Sequence, residues 1–71
     1  MLSKAEMDRV MALARRGHAG SITTLEKGEL RALLARLNPQ AQDLAWQDLQ
    51  QAVMVFIGMY SVAEMAAAHA S

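Results

Sequence analysis

The side chains that could do chemistry in this sequence are two histidines, seven carboxylates and a few hydroxyls. His18 lies in a glycine-rich stretch and His69 lies near the end of the chain, with no cysteine and no second histidine at ligand spacing. A metal site needs three or four converging donors. We therefore expect no metal ion and no cofactor.

Catalytic groups are equally sparse. Ser21, Thr23 and Thr24 precede a helical pattern, but a nucleophile also needs a nearby base and an oxyanion site, and neither is visible. The carboxylates occur singly or beside cations, so no acid–base couple stands out. The glycines at 17 and 20 resemble the start of a phosphate loop, yet no strand precedes them and no Gly-Lys-Ser/Thr follows. The sequence predicts a non-catalytic protein with no catalytic residues.

Length limits what can position such groups. The chain has 71 residues, enough for one small domain, residues 1–71, whose own core supplies only marginal stability. Because it has no cysteine, a disulfide framework cannot reinforce it. Stability must therefore come from close helix packing or from another copy of the chain.

Charge is balanced overall but unevenly placed. Residues 1–37 hold all seven cations and four anions, a net charge of +3, whereas residues 38–71 hold three anions and no cation, a net charge of −3. The arginines of the first half suggest nucleic-acid binding as a weaker alternative, but phosphate binding usually shows as a clear basic excess. The N-terminus lacks the apolar core of a signal peptide, which predicts a cytoplasmic protein.

Two helices share the same start signal. Ser3 with Glu6, and Thr23 with Glu26, form the capping-box pattern, and apolar residues at spacings of three and four follow each box. Gly17 offers a left-handed stop after the first helix. The predicted helices span residues 3–16 and 23–37.

A third and longer helix is predicted after Asn38-Pro39, over residues 39–70. Asparagine caps well and proline is tolerated at the first helical position. The sequence leaves open whether this helix is continuous from Pro39 or restarts near Asp43. A hairpin that folds the second helix back along the third would bring Arg31 near Asp48 and Arg36 near Asp43.

The third helix carries more apolar surface than two short helices can cover. An unbroken 3–4 alternation marks one seam, and a second row of apolar residues runs along another side. We predict an all-α fold that self-associates through this helix, with a homodimer as the expected form and another protein as a further partner. The predicted interface residues are Trp46, Leu49, Val53, Val55, Phe56, Met59, Tyr60, Val62, Ala63 and Ala67.

A lipid bilayer is the alternative environment for the apolar sides of the third helix. Fifteen uncharged residues separate Asp48 from Glu64, roughly 22 Å as a helix against a hydrocarbon core of about 30 Å. Extending the span to Ala70 would place Glu64 in the bilayer, which is costly. A membrane-associated protein with a cytoplasmic N-terminus is therefore the second reading, behind the self-associating interaction module.

Overall fold

The structure, a computed structural model, describes the backbone of residues 2–70 and the side chains of residues 2–67. Within that range the chain is helical and has no strand, which confirms the all-α prediction. The elements in chain order are α1 (Lys4–Ala19), α2 (Thr24–Ala35), a 3₁₀ helix (Pro39–Asp43) and α3 (Trp46–Ala70).

The first helix begins as predicted and ends later than predicted. The Ser3 hydroxyl accepts a hydrogen bond from the Glu6 N–H, and the Glu6 carboxylate accepts one from the Ser3 N–H, completing the capping box. The predicted end at residue 16 is wrong because Gly17 stays helical. Gly20 adopts the left-handed conformation instead, with φ of 76°. This continuation keeps the backbone bonds of another turn and brings Gly17 against α3.

The second helix starts at the predicted cap, Thr23, and ends at Ala35, two residues before the predicted end. The sequence left open whether the third helix is continuous from Pro39, and the structure shows that it is not, so the predicted start of the 39–70 range is wrong. Residues 39–43 form a 3₁₀ helix capped by Asn38, and the chain becomes extended at Leu44 before α3 starts. This break exposes backbone carbonyls that need donors, and the α2 side chain Arg31 supplies them.

Arg31 fastens this break to α2. Its guanidinium donates hydrogen bonds to the carbonyl oxygens of Ala41, at 3.0 Å, and Leu44, at 2.6 Å. Arg36 pairs with Glu6 of α1. Among residues 2–67 neither arginine forms an ion pair with Asp48 or Asp43, because backbone carbonyls and a capping glutamate engage them. Arg31 does lie beside Asp43, since it binds the carbonyls of Gln42 and Leu44.

Three ion pairs join α1 to α2 in antiparallel orientation. Arg9 forms a bidentate pair with Glu29, with distances of 2.6 and 2.9 Å. At the two ends of the helix pair, each capping glutamate makes two interactions: it caps the N-terminus of its own helix, and it forms an ion pair with an arginine of the other helix. These end pairs are Arg36–Glu6 and Arg16–Glu26.

The helix that runs alongside α3 is α1, also antiparallel. A Cβ added to Gly17 would lie 3.3 Å from the Trp46 ring, so the Trp46 side chain packs directly on Gly17 at the start of α3. Further along, Met11 lines one groove together with Ile57. Nine residues form the buried core between the elements: Leu2, Met7, Val10, Leu13, Leu30, Leu34, Ala41, Leu49 and Val53.

Candidate interaction surface

One side of α3 faces its own chain. Leu49 and Val53 are 0% and 1% exposed, and Trp46, Phe56 and Tyr60 are half-buried against the same core. The first half of the predicted intermolecular seam is therefore used within the protomer. The reason is that α1 packs against this side of α3, so the seam is filled by a helix of the same chain.

The opposite side of α3 is not covered by any other part of residues 2–67. We call it the outer face, and its members share exposure to solvent and an uncharged side chain. Its five large side chains are 59–68% exposed. The outer face comprises Met54, Val55, Gly58, Met59, Val62, Met65 and Ala66. Three of the predicted interface residues, Val55, Met59 and Val62, lie on it.

The remaining predicted interface residues, Ala63 and Ala67, continue the inner row toward the end of α3, where both are exposed. Ala63 also lies beside Met59 and Val62 in a surface groove. The predicted set thus contains two groups that the structure separates: one group buried in the protomer and one group open to solvent. Residue spacing alone did not distinguish them, since both follow a helical period.

The outer face is shaped around a glycine. A Cβ added to Gly58 would meet nothing within 4 Å, and the neighbouring side chains form a shallow groove of about 640 Å³ around it. Methionines line much of this groove, and their flexible thioethers adapt to irregular partner surfaces. The groove can therefore receive the side chains of another helix, but it offers no polar group for catalysis.

Glu64 points away from the outer face. Its carboxylate accepts a hydrogen bond from the Tyr60 hydroxyl at 2.7 Å, one turn back along α3. That hydrogen bond raises the pKa of Tyr60, and partial burial adds to the effect. Glu64 therefore places no charge on the apolar surface.

Surface area gives an independent measure of what is uncovered. The accessible surface is 5005 Å², whereas a compact monomer of 7.7 kDa exposes about 4300 Å². The excess, about 700 Å², is close to the roughly 800 Å² that one partner contributes to a standard protein–protein interface. Of the seven large hydrophobic side chains that are exposed among the described residues, five lie on the outer face.

A cleft adjoins the outer face at the start of α3. It has a volume of about 540 Å³ and lies between the end of α1 and the first turns of α3, with Gly17, His18, Trp46 and Gln50 in its wall. The Lys27 ammonium sits 5.0 Å from the centre of the Trp46 ring. Within the part of the chain that the structure describes, no three histidine or carboxylate groups converge as metal ligands.

The basic residues of the first half are mostly engaged within the protomer. Arg9, Arg16 and Arg36 pair with carboxylates, and Arg31 binds backbone carbonyls. The ion pairs and the capping hydrogen bonds also shift the pKa of the carboxylates. The Ser3 and Thr23 backbone N–H groups, followed by the paired arginines, lower the pKa of Glu6 and Glu26, and Arg9 lowers the pKa of Glu29. This arrangement joins helices rather than presenting a phosphate-binding surface.

Comparisons with protein families, curated proteins and solved structures find no match for this chain. Trp46–Ala67 of α3 is long and apolar enough to cross a membrane, with a mean hydropathy of 1.2. Length and composition alone carry that observation, and core helices of soluble proteins pass the same test. The physical character of the outer face is therefore the main guide to function.

Proposed function

We propose that the protein is a small non-catalytic interaction module that forms a homodimer through the outer face of α3 and presents the assembled surface to another protein. The observation that carries this proposal is the outer face itself. Its five large apolar side chains are each more than half exposed and lie on one helix side without a charge. Apolar patches of this kind mark sites of association.

A second copy fits this face by area and by shape. The surplus surface of about 700 Å² approaches what each partner buries in a standard interface. The outer face is also a single helix side, and another α3 offers an equally long apolar side of the same chemistry. A two-fold pairing would cover both faces at once, as closed symmetric dimers do.

Membrane association is the second candidate, and the length and hydropathy of Trp46–Ala67 support it. Two features favour the dimer. A membrane span over Trp46–Ala67 would hold two carboxylates, Asp48 and Glu64, near its ends, and each is costly in the bilayer. In addition, helices that lie on membrane surfaces usually carry Lys or Arg on the polar side, and α3 has neither.

The test is a charge placed on the outer face. Val62→Glu introduces a carboxylate where the proposed dimer excludes water, so we expect sedimentation velocity to show a dimer for the parent protein and a monomer for the variant. Ser61→Glu is the matched control, because residue 61 is the next residue along, is exposed, and lies off the outer face. We expect this control to remain dimeric.

Phe56→Asp is less informative, because Phe56 packs against the core and an acid there would unfold the protomer. A parent protein that is monomeric at every concentration reached by sedimentation would overturn the dimer. Co-flotation of that monomer with neutral phosphatidylcholine vesicles, lost in Val62→Glu and retained in Ser61→Glu, would establish the membrane candidate instead.

A further inference from the structure

The exposed residues of α3 follow a second regular alternation. Beginning at Asp48, steps of four and three lead to residues that are all exposed: Ala52, Val55, Met59, Val62 and Ala66. This 4–3 spacing is the heptad period that keeps one helix side facing a partner helix. The alternation begins with a carboxylate and continues with five uncharged residues.

Asp48 discriminates between the parallel and the antiparallel pairing of two α3 helices along this row of residues. In a parallel pair each residue faces its own counterpart, so Asp48 would oppose Asp48 of the second copy at the edge of an apolar interface. Like charges at such positions oppose association and select against that arrangement. A parallel pair would also stack Met59 on Met59 and leave the alanine layers thinly filled.

An antiparallel pair removes both conflicts. If the two helices cross midway between Met59 and Val62, Val55 of one copy faces Ala66 of the other, and Met59 faces Val62. Every layer then combines a larger side chain with a smaller one. The two Asp48 side chains end up about 38 Å apart along the helix axis, at opposite ends of the interface.

We propose that two copies pair through α3 in this antiparallel register, with Asp48 as the residue that selects the orientation. The inference rests on the proposed dimer and adds its geometry.

Engineered cysteines test the register without interference, because the chain has no cysteine of its own. Disulfides form only when the two Cα atoms come within about 7 Å. In the antiparallel register Val55→Cys and Ala66→Cys should cross-link with each other when the two variants are mixed in a glutathione redox buffer. Neither should cross-link with itself, since its two copies lie about 16 Å apart along the axis.

The outcomes separate the register from the dimer. Self-linked Val55→Cys and self-linked Ala66→Cys, without the mixed product, would overturn the antiparallel register. A dimer by sedimentation with no disulfide in any mixture would overturn this register as well. A parent protein that is monomeric by sedimentation would overturn the dimer on which the register rests. Ser61→Cys, off the outer face, measures the background of random collisions.

Asp48→Val tests the selecting role. With the carboxylate replaced by an apolar side chain the parallel arrangement loses its penalty, and we expect self-linked Val55→Cys to appear in the Asp48→Val background. An unchanged pattern, with only the mixed disulfide between Val55→Cys and Ala66→Cys, would show that Asp48 does not set the orientation.

Discussion

Two truncations to alanine in the same helix should have opposite consequences. Leu49 is 0% exposed and belongs to the core of the protomer, whereas Val62 is 67% exposed and belongs to the outer face. Leu49→Ala should therefore destabilise folding, and Val62→Ala should weaken only association. The pair separates the inner and outer sides of α3 without introducing a charge.

The magnitudes follow from burial. A fully buried leucine truncated to alanine costs about 2–5 kcal/mol. For 71 residues the whole unfolding free energy is about 4–11 kcal/mol, so Leu49→Ala removes a large share of it. Val62→Ala removes about two methylene equivalents that are one-third covered, about 0.5 kcal/mol, and the better helix propensity of alanine offsets a similar amount.

Association responds differently because the exposed two-thirds of Val62 would be covered in the dimer. Each copy then loses about 1 kcal/mol of apolar burial. The dimer loses about 2 kcal/mol, which weakens its dissociation constant by about thirty-fold. Denaturant unfolding followed by circular dichroism at low protein concentration measures the protomer, and sedimentation measures the dimer. Equal losses of folding stability in both variants, or a larger loss in Val62→Ala, would refute this assignment of the two sides of α3.

Three further predictions concern the ion pairs, the glycines and the methionines. The folded state lowers the pKa of the three paired glutamates, so the stability that they contribute is full above the ordinary pKa of 4.5 and is lost as the pH falls through the lowered values. Thermal melts from pH 7 to pH 3 should show this loss as a falling melting temperature, and Glu26→Gln should make the fall smaller. Gly28→Ala should stabilise the protein by about 0.5–1 kcal/mol, because helix propensity improves and the added Cβ meets nothing within 4 Å. Gly17→Ala should gain less in the same denaturant titration because its Cβ meets the Trp46 ring at 3.3 Å, and an equal gain would contradict the close approach. Peroxide converts exposed methionine thioethers to polar sulfoxides, and the outer face carries three methionines, Met54, Met59 and Met65. The oxidised protein should therefore form a weaker dimer with unchanged helicity. If mass spectrometry confirms the oxidation and the dimer persists, the result would count against the outer face as the interface.

Local signals in the sequence were sufficient for the starts of the first two helices. In a capping box the hydroxyl and the glutamate three residues later each accept a hydrogen bond from the other residue's backbone N–H. Ser3–Glu6 and Thr23–Glu26 therefore determine where α1 and α2 begin regardless of what surrounds them. The all-α class followed from the same kind of local information. The predicted end of α1 at Gly17 was wrong, because Gly20, within one turn of it, forms the left-handed stop instead. Packing of Gly17 against Trp46 decided between them.

The break before α3 lay beyond local information. Propensity alone permits a helix from Pro39 onward, but the Arg31 side chain, 10 to 13 residues earlier in the chain, binds the carbonyls of Ala41, Gln42 and Leu44 in a 3₁₀ turn and an extended residue. A contact between two elements decided that conformation. A sequence pattern reports the period of each element and carries no information about which distant donor will reach it.

The sequence by itself determined that α3 has apolar residues on more than one side, since a period of three and four is a property of residue order alone. Only the tertiary structure decided which of these sides is buried within the protomer. The antiparallel α1 covers Leu49 and Val53 and leaves Val55 and Val62 open. The physical reason is that two apolar rows with the same period compete for one neighbouring helix, and α1 packs against only one of them.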